Sequence, residues 1–153
     1  MRFVMFCTGL CVIGKEGSTY LGEGFIQSLW NDANSNFNEV SELAKKNADG
    51  SLVGCWGVMS NISMEFMPWE DNFTKGLYLA GVKCVDNAIA PDGWKKWTIP
   101  AFQFVKIPCS DSNTFAYGLD YLAKNGYELV GAVQDYTDVK SGQNYMCFPI
   151  KRL

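Results

Sequence analysis

Apolar residues fall along this chain in two alternating periods, and the switches between them mark out its elements. Residues 3–14 suit a half-buried pleat and predict one strand, or two broken at Thr8-Gly9. After Gly22-Glu23-Gly24, apolar positions recur at Phe25, Ile26, Leu29, Trp30, Ala33, Phe37, Val40, Leu43 and Ala44, which is a helical stripe. Asn34-Ser35-Asn36 are poor helix residues and predict a bend or two helices, and Asn47-Ala48-Asp49-Gly50 ends the stretch. Strands follow at 52–60 and 77–85, then a Pro91-Asp92-Gly93 turn. Residues 94–107 predict another strand, with Pro100 placing it at an edge or on a bulge. Asp111, Ser112 or Asn113 caps a second helix with the stripe Phe115, Leu119, Leu122 and Ala123, closed by Lys124-Asn125-Gly126. Strands at 129–137 and 145–151, joined across Lys140-Ser141-Gly142, complete the pattern.

The pattern repeats. Leu52-Val53-Gly54-Cys55-Trp56 recurs as Leu129-Val130-Gly131-Ala132-Val133, each time after a helical stretch that ends in Asn and Gly. Each copy precedes an apolar run opened by a tyrosine, Tyr78 in the first half and Tyr145 in the second. Two strand–helix–strand–strand units predict a single α+β domain over residues 1–153, with repeat one at about 1–87 and repeat two at about 94–153. The expected architecture is a duplicated β-α-β-β unit with pseudo-twofold symmetry. It has an antiparallel sheet, helices on one face and a ligand cleft between the repeats. The spacing from Leu52 to Tyr78 exceeds that from Leu129 to Tyr145 by ten residues. The extra loop, 61–73, carries Met64, Phe66, Met67, Trp69 and Phe73 beside Glu65, Glu70 and Asp71. Long loops in compact domains tend to be functional. This one reads either as a flap that buries itself or as a lid over one end of the cleft.

Composition narrows the function. The chain is 48% hydrophobic and 19% charged, a balance that folds. Its net charge of −3 comes with scattered Lys and Arg, so no basic face meets phosphates and no nucleic-acid partner is expected. There is no His, which removes the commonest general base and the Ser/His and Cys/His pairs. Any catalysis falls to carboxylates, Tyr, Lys or Cys. The six cysteines, at 7, 11, 55, 84, 109 and 147, form no Cys-x-x-Cys pair, so neither a metal nor another cofactor is expected. They read as buried, reduced thiols of a cytosolic protein. Residues 1–7 read as a buried first strand and not as a signal segment, because Thr8-Gly9 interrupt them and no small-x-small site follows. No apolar run approaches the ~20 residues of a membrane span, so a soluble, cytoplasmic protein with no membrane partner is expected.

Several segments together resemble the GyrI-like family, the small-molecule effector-binding domain also attached to some AraC- and MerR-type transcription regulators. They are Val12-Ile13-Gly14, Leu29-Trp30, Trp56-Gly57-Val58-Met59-Ser60, Tyr78-Leu79-Ala80-Gly81-Val82, Ile99-Pro100-Ala101-Phe102-Gln103-Phe104 and Tyr145-Met146-Cys147-Phe148-Pro149-Ile150-Lys151. The resemblance implies the duplicated fold, with a ligand held between its halves. Stand-alone members of that family sequester compounds, inhibit partners or hydrolyse cyclopropane-containing genotoxins. Every residue here is used by the duplicated domain, so the chain is expected to be a stand-alone binder. Relatives carry a buried Glu two residues before a Tyr on the second strand of the second unit. Gln134, preceding Tyr136, stands there and cannot neutralise a cation. Asp135 is adjacent, on the opposite face if alternation holds.

The expected ligand is therefore an aromatic or amphipathic small molecule, with a possible positive charge. The candidate ligand-binding residues are Trp56, Trp69, Glu70, Tyr78, Trp97, Phe104, Gln134, Tyr136 and Tyr145. Gly57 is expected to leave room for the ligand against the sheet. Glu70, beside Trp69, is the favoured carboxylate, because an aromatic wall raises a carboxyl pKa by desolvation. The alternative is a hydrolase of strained, cyclopropane-type electrophiles, with Glu70 guiding water and Tyr78 or Tyr145 donating a proton. No protein partner is legible.

Overall fold

A computed structural model describes residues 3–7 and 9–153. Eight strands form one sheet in the order β1-β6-β8-β7-β3-β4-β2-β5, all pairs antiparallel. The strands are β1 (Phe3–Cys7), β2 (Leu10–Ser18), β3 (Cys55–Ser60), β4 (Leu77–Lys83), β5 (Lys95–Ile99), β6 (Phe102–Pro108), β7 (Gln134–Thr137) and β8 (Asn144–Arg152). Two helices, α1 (Phe25–Ser35) and α2 (Thr114–Lys124), interrupt them. The order reads alike from both edges: β2-α1-β3-β4 fills one half and β6-α2-β7-β8 the other, and β3 meets β7 in the middle. Each half also receives the strand that precedes the other half. β1 leads into β2 but pairs with β6, and β5 leads into β6 but pairs with β2.

The predicted strand at 94–107 is two strands, because Pro100-Ala101 interrupts it. These two residues connect strands that stand six positions apart in the sheet. A flat sheet would separate them by about 29 Å at ~4.8 Å per strand, whereas three peptide links reach at most about 11 Å. The sheet must therefore curl, and the packing shows which way. Trp97 and Ile99 of β5 share one buried cluster with Leu10, Val12, Trp56, Val58, Leu79, Phe102, Phe104 and Cys147. That face is concave and filled with its own side chains, with Phe66 from the long loop set edge-on against Trp97 at 6.0 Å.

The convex face carries both helices. α1 packs with Ile13 and Val82 through Ala33. The bend expected at Asn34–Asn36 ends this helix at Ser35, and a short 3-10 turn follows at Phe37–Glu39. α2 packs on Val105, Ile107 and Phe148 through Leu122. Asp111 accepts a hydrogen bond from the Asn113 backbone at 2.8 Å just ahead of it. β3 begins at Cys55 and β7 at Gln134, later than the predicted starts. The cysteines at 11, 84 and 147 are buried, those at 55 and 109 are half-buried, and the Cys7 side chain lies outside the described residues. The reading of residues 1–7 as a buried strand lies partly outside them too. Within it, β1 is an edge strand with Val4 42% exposed. No helix among the described residues is long and apolar enough to cross a membrane.

Candidate functional site

α1 lies against β2 and β4, and α2 against β6 and β8, so the convex face of β3 and β7 between them is left as a groove. Alternation sends Cys55, Gly57 and Met59 of β3 into it, and the ladder places Asp135 and Thr137 of β7 on the same face. Asn144 and Met146 of β8 follow, as the partners of Thr137 and Asp135.

A chain of three hydrogen-bonded side chains forms the centre of the groove. Tyr78 on β4 is 1% exposed, and its phenol crosses β3 to donate to Asp135 Oδ2 on β7 at 3.0 Å. It can cross because Gly57 has no side chain: a Cβ there would lie 1.8 Å from the Tyr78 hydroxyl. The room expected at Gly57 for a ligand is thus filled by Tyr78. The indole N–H of Trp30 on α1 donates to the same hydroxyl at 3.0 Å. Desolvation pushes the Asp135 carboxyl up to about 6, with the Tyr78 hydrogen bond partly opposing the rise. Burial, then the charge of Asp135, raises the Tyr78 phenol well above its ordinary range. A cavity of about 270 Å³ surrounds this centre, with Cys109, Thr137 and Asn144 on its walls.

At the Met59 end the groove opens into an apolar cavity of about 220 Å³, walled by Ile26, Met59, Trp69, Phe73, Phe115 and Met146. The long loop supplies part of this wall. Trp69 donates its indole N–H to the Leu77 carbonyl at 3.0 Å, and Phe73 reaches Phe115 of α2 edge-on at 5.2 Å. Within the four-residue turn Glu70–Phe73, the residues Asp71, Asn72 and Phe73 have φ of 50°, 57° and 65°. Met64 and Phe66 are also left-handed, an uncommon concentration for residues other than glycine. The loop is flap and wall at once: Phe66 is buried in the concave core and Trp69 lines the groove, while Met64 and Met67 are exposed.

The structure divides the sequence-predicted residues. Tyr78 and Trp69 line the groove. Trp56, Trp97 and Phe104 belong to the concave core on the other side of the sheet, where Trp97 donates to Glu16 at 2.7 Å. Tyr136 and Tyr145 border the central cavity, but their rings turn to that same other side. There Tyr136 packs on Trp56 at 4.8 Å, Tyr136 and Tyr145 stack at 6.1 Å, and Lys106 lies over both rings. Glu70 is exposed and accepts from the Ile62 backbone of its own loop at 3.3 Å. Glu70, Tyr78 and Tyr145 are therefore not assembled into one constellation. Sequence reasoning missed Trp30 and Asp135. The available signal was a lone carboxylate inside the segment that meets the other half.

Gln134 faces the concave side and is 1% exposed. Its carbonyl accepts from the Met59 N–H at 2.7 Å and its amide donates to the Ala132 carbonyl at 3.1 Å. The side chain thus stands in for a peptide unit where β7 stops pairing with β3 beyond Gly57. Gln134→Glu is accordingly expected to destabilise the fold by about 2–4 kcal/mol at pH 7, since a carboxylate cannot donate to Ala132 and is buried unpaired. Urea unfolding checks this. A carboxylate that left stability unchanged and tightened cationic ligands would place Gln134 in the groove after all.

Among the described residues, no three His, Cys, Asp or Glu side chains cluster to hold a metal. No family model matches the chain, and neither does any curated protein. Solved structures do. The structure of SAV2435 bound to tetraphenylphosphonium matches with a TM-score of 0.67 and 13% identity, over 99% of this chain and 94% of that one. The EcmrR C-terminal domain matches with a TM-score of 0.64 and 13% identity, over 100% and 98%. EcmrR in a complex with DNA matches with a TM-score of 0.66 and 12% identity, and there the chain spans 58% of its relative's length. At these identities what is shared is the α+β fold with its antiparallel sheet.

Proposed function

We propose that this chain is a GyrI-like effector-binding domain of two repeats, about 1–87 and about 94–153, that captures an aromatic or amphipathic cation between α1 and α2. One observation carries the reading: Asp135 is the only charged side chain lining the groove's cavities among the described residues, and it is held in a desolvated position beside aromatic walls. A desolvated carboxylate lacking a cationic partner gains most from a cation that arrives with the ligand. The cationic ligand of SAV2435, a protein of the same fold, supports the same chemistry. The cation partner is thus Asp135, with Trp30 and Tyr78 orienting it, in place of Glu70 or the glutamine at 134.

Benzyltrimethylammonium and its neutral carbon isostere, neopentylbenzene, test this by calorimetric titration. Asp135→Asn is expected to weaken the cation at least tenfold and to leave the neutral compound within twofold. Lowering the pH from 7.5 to 5 should weaken the cation about tenfold, because most of a carboxyl titrating near 6 is then protonated. Equal changes for both compounds would remove Asp135 from the site.

A hydrolytic reading draws on the same carboxylate. A desolvated acid titrating near neutrality suits a general base that activates water against a strained, cyclopropane-type electrophile. Turnover separates the two readings. A binder saturates at one equivalent, whereas a hydrolase consumes excess substrate and loses that activity in Asp135→Asn.

A further inference from the structure

The groove does not end at Asp135. The three side-chain positions that β3 turns toward the helices, Cys55, Gly57 and Met59, each border a different cavity. Met59 lies at the apolar end, Gly57 at the centre beside Asp135, and Cys55 in a third cavity of about 250 Å³. Alternate residues of a strand are about 6.6–6.8 Å apart, so the three compartments lie in a row roughly 13–14 Å long.

The third compartment is walled by Trp30, Phe37, Leu52, Val82 and Trp94, and no ionised side chain lines it. Trp30 borders both this compartment and the central one. It is half-buried, and its indole N–H is committed to Tyr78 on the Asp135 side. Its ring is therefore the partition between a polar centre and an aromatic slot.

We propose that the Cys55 cavity is a second ligand compartment that takes a planar apolar arm, so that the groove selects an elongated cation with its charge between two aryl ends. This rests on the reading of Asp135 as the counter-ion. Both end compartments are uncharged and aromatic-walled, and the single carboxylate sits between them. Apolar arms gain by leaving water at both ends, and the charge has one place to go. A cation with one aryl group fills the centre and one end. A second aryl group on the opposite side of the nitrogen has to pass Trp30.

Dibenzyldimethylammonium and benzyltrimethylammonium are the probes. The two-armed cation is expected to bind at least tenfold more tightly than the one-armed cation to the unmodified protein. Leu52→Trp, which fills the third cavity, should remove that advantage and leave the one-armed cation within twofold. Independently of any variant, the two-armed cation should slow alkylation of Cys55 by iodoacetamide at least tenfold, read by peptide mass spectrometry. Both cations should protect Cys109, which borders the central cavity. If Leu52→Trp fails to fold, the Cys55 protection decides alone. Equal affinity of the two cations with Cys55 unprotected overturns the second compartment. Asp135→Asn separates this from the underlying reading. Weakening of both cations with Cys55 unprotected by either defeats the compartment alone, whereas no weakening of either defeats the counter-ion and the compartment with it.

Discussion

Asp135→Asn is expected to make the protein more stable at pH 8 by about 2–3 kcal/mol, while weakening its hold on cations at least tenfold. The native carboxyl is raised to about 6, chiefly by desolvation, from an ordinary value of 3.8. One pKa unit corresponds to about 1.4 kcal/mol, so holding the charge in the groove costs about 3 kcal/mol once both states are ionised. The direction follows from proton uptake. Between roughly pH 3.8 and 6 the native state binds a proton that the unfolded chain has released, so stability falls as pH rises through that window and levels off above it. An asparagine carries no charge to desolvate and still accepts the Tyr78 hydrogen bond through its carbonyl. The gain over the unmodified protein should therefore be near zero at pH 4 and complete by pH 7.5. Urea unfolding of both proteins at four pH values measures it, and their difference cancels the other titrating groups. A variant less stable at pH 8, or a difference independent of pH, would mean that Asp135 is better solvated than its place beside Tyr78 implies. A site that gives up stability to keep an unpaired charge is a familiar mark of function.

Gly57→Ala should produce the largest loss, about 3–5 kcal/mol. The added methyl would stand 1.8 Å from the Tyr78 hydroxyl and 2.5 Å from its ring carbon, inside any tolerable contact. Tyr78 is 1% exposed, and its hydroxyl is held between Trp30 and Asp135, so the ring cannot swing aside without breaking both hydrogen bonds. Overpacking of this kind costs roughly 1–3 kcal/mol, and losing the bond to an ionised partner adds roughly 1.5–3. Displacing the phenol also removes the one interaction that holds the Asp135 carboxyl down, so its titration should move further upward. A double-mutant cycle isolates the mechanism. Tyr78→Leu removes the obstructing atoms, so Gly57→Ala in that background should cost at least 1.5 kcal/mol less than alone. Additive losses would show that glycine is needed at 57 for a reason other than the crossing of Tyr78.

The faces of the central strands illustrate where local reasoning stopped. Alignment of the two repeats set Gly57 against Gln134, whereas the ladder pairs Gly57 with Asp135. That is a slip of one residue, and in a structure of period two it exchanges every inward side chain for its outward neighbour. The repeat motif at 129–133 could not carry the phase across, because those residues are not strand and β7 starts only at Gln134. The aromatics were misassigned for a related reason. Trp56, Trp97 and Phe104 have the composition of a pocket wall, but the curl of the sheet turns them into one another.

Periodicity and turn chemistry were enough to establish both helical stretches, the α+β class and the unusual loop at 61–73, since each is set by neighbours a few residues apart. Tertiary structure alone decided the exchange of the leading strands β1 and β5 between halves and the curl imposed by the two-residue link at Pro100-Ala101. It also decided the register of β3 on β7. These are choices between pairings of similar local cost, settled by which arrangement buries most apolar surface. The site depends on all of them. Trp30, Tyr78 and Asp135 come from a helix and two strands that are far apart in the chain, and they meet only because the sheet pairs β3 with both β4 and β7 and leaves its convex centre uncovered.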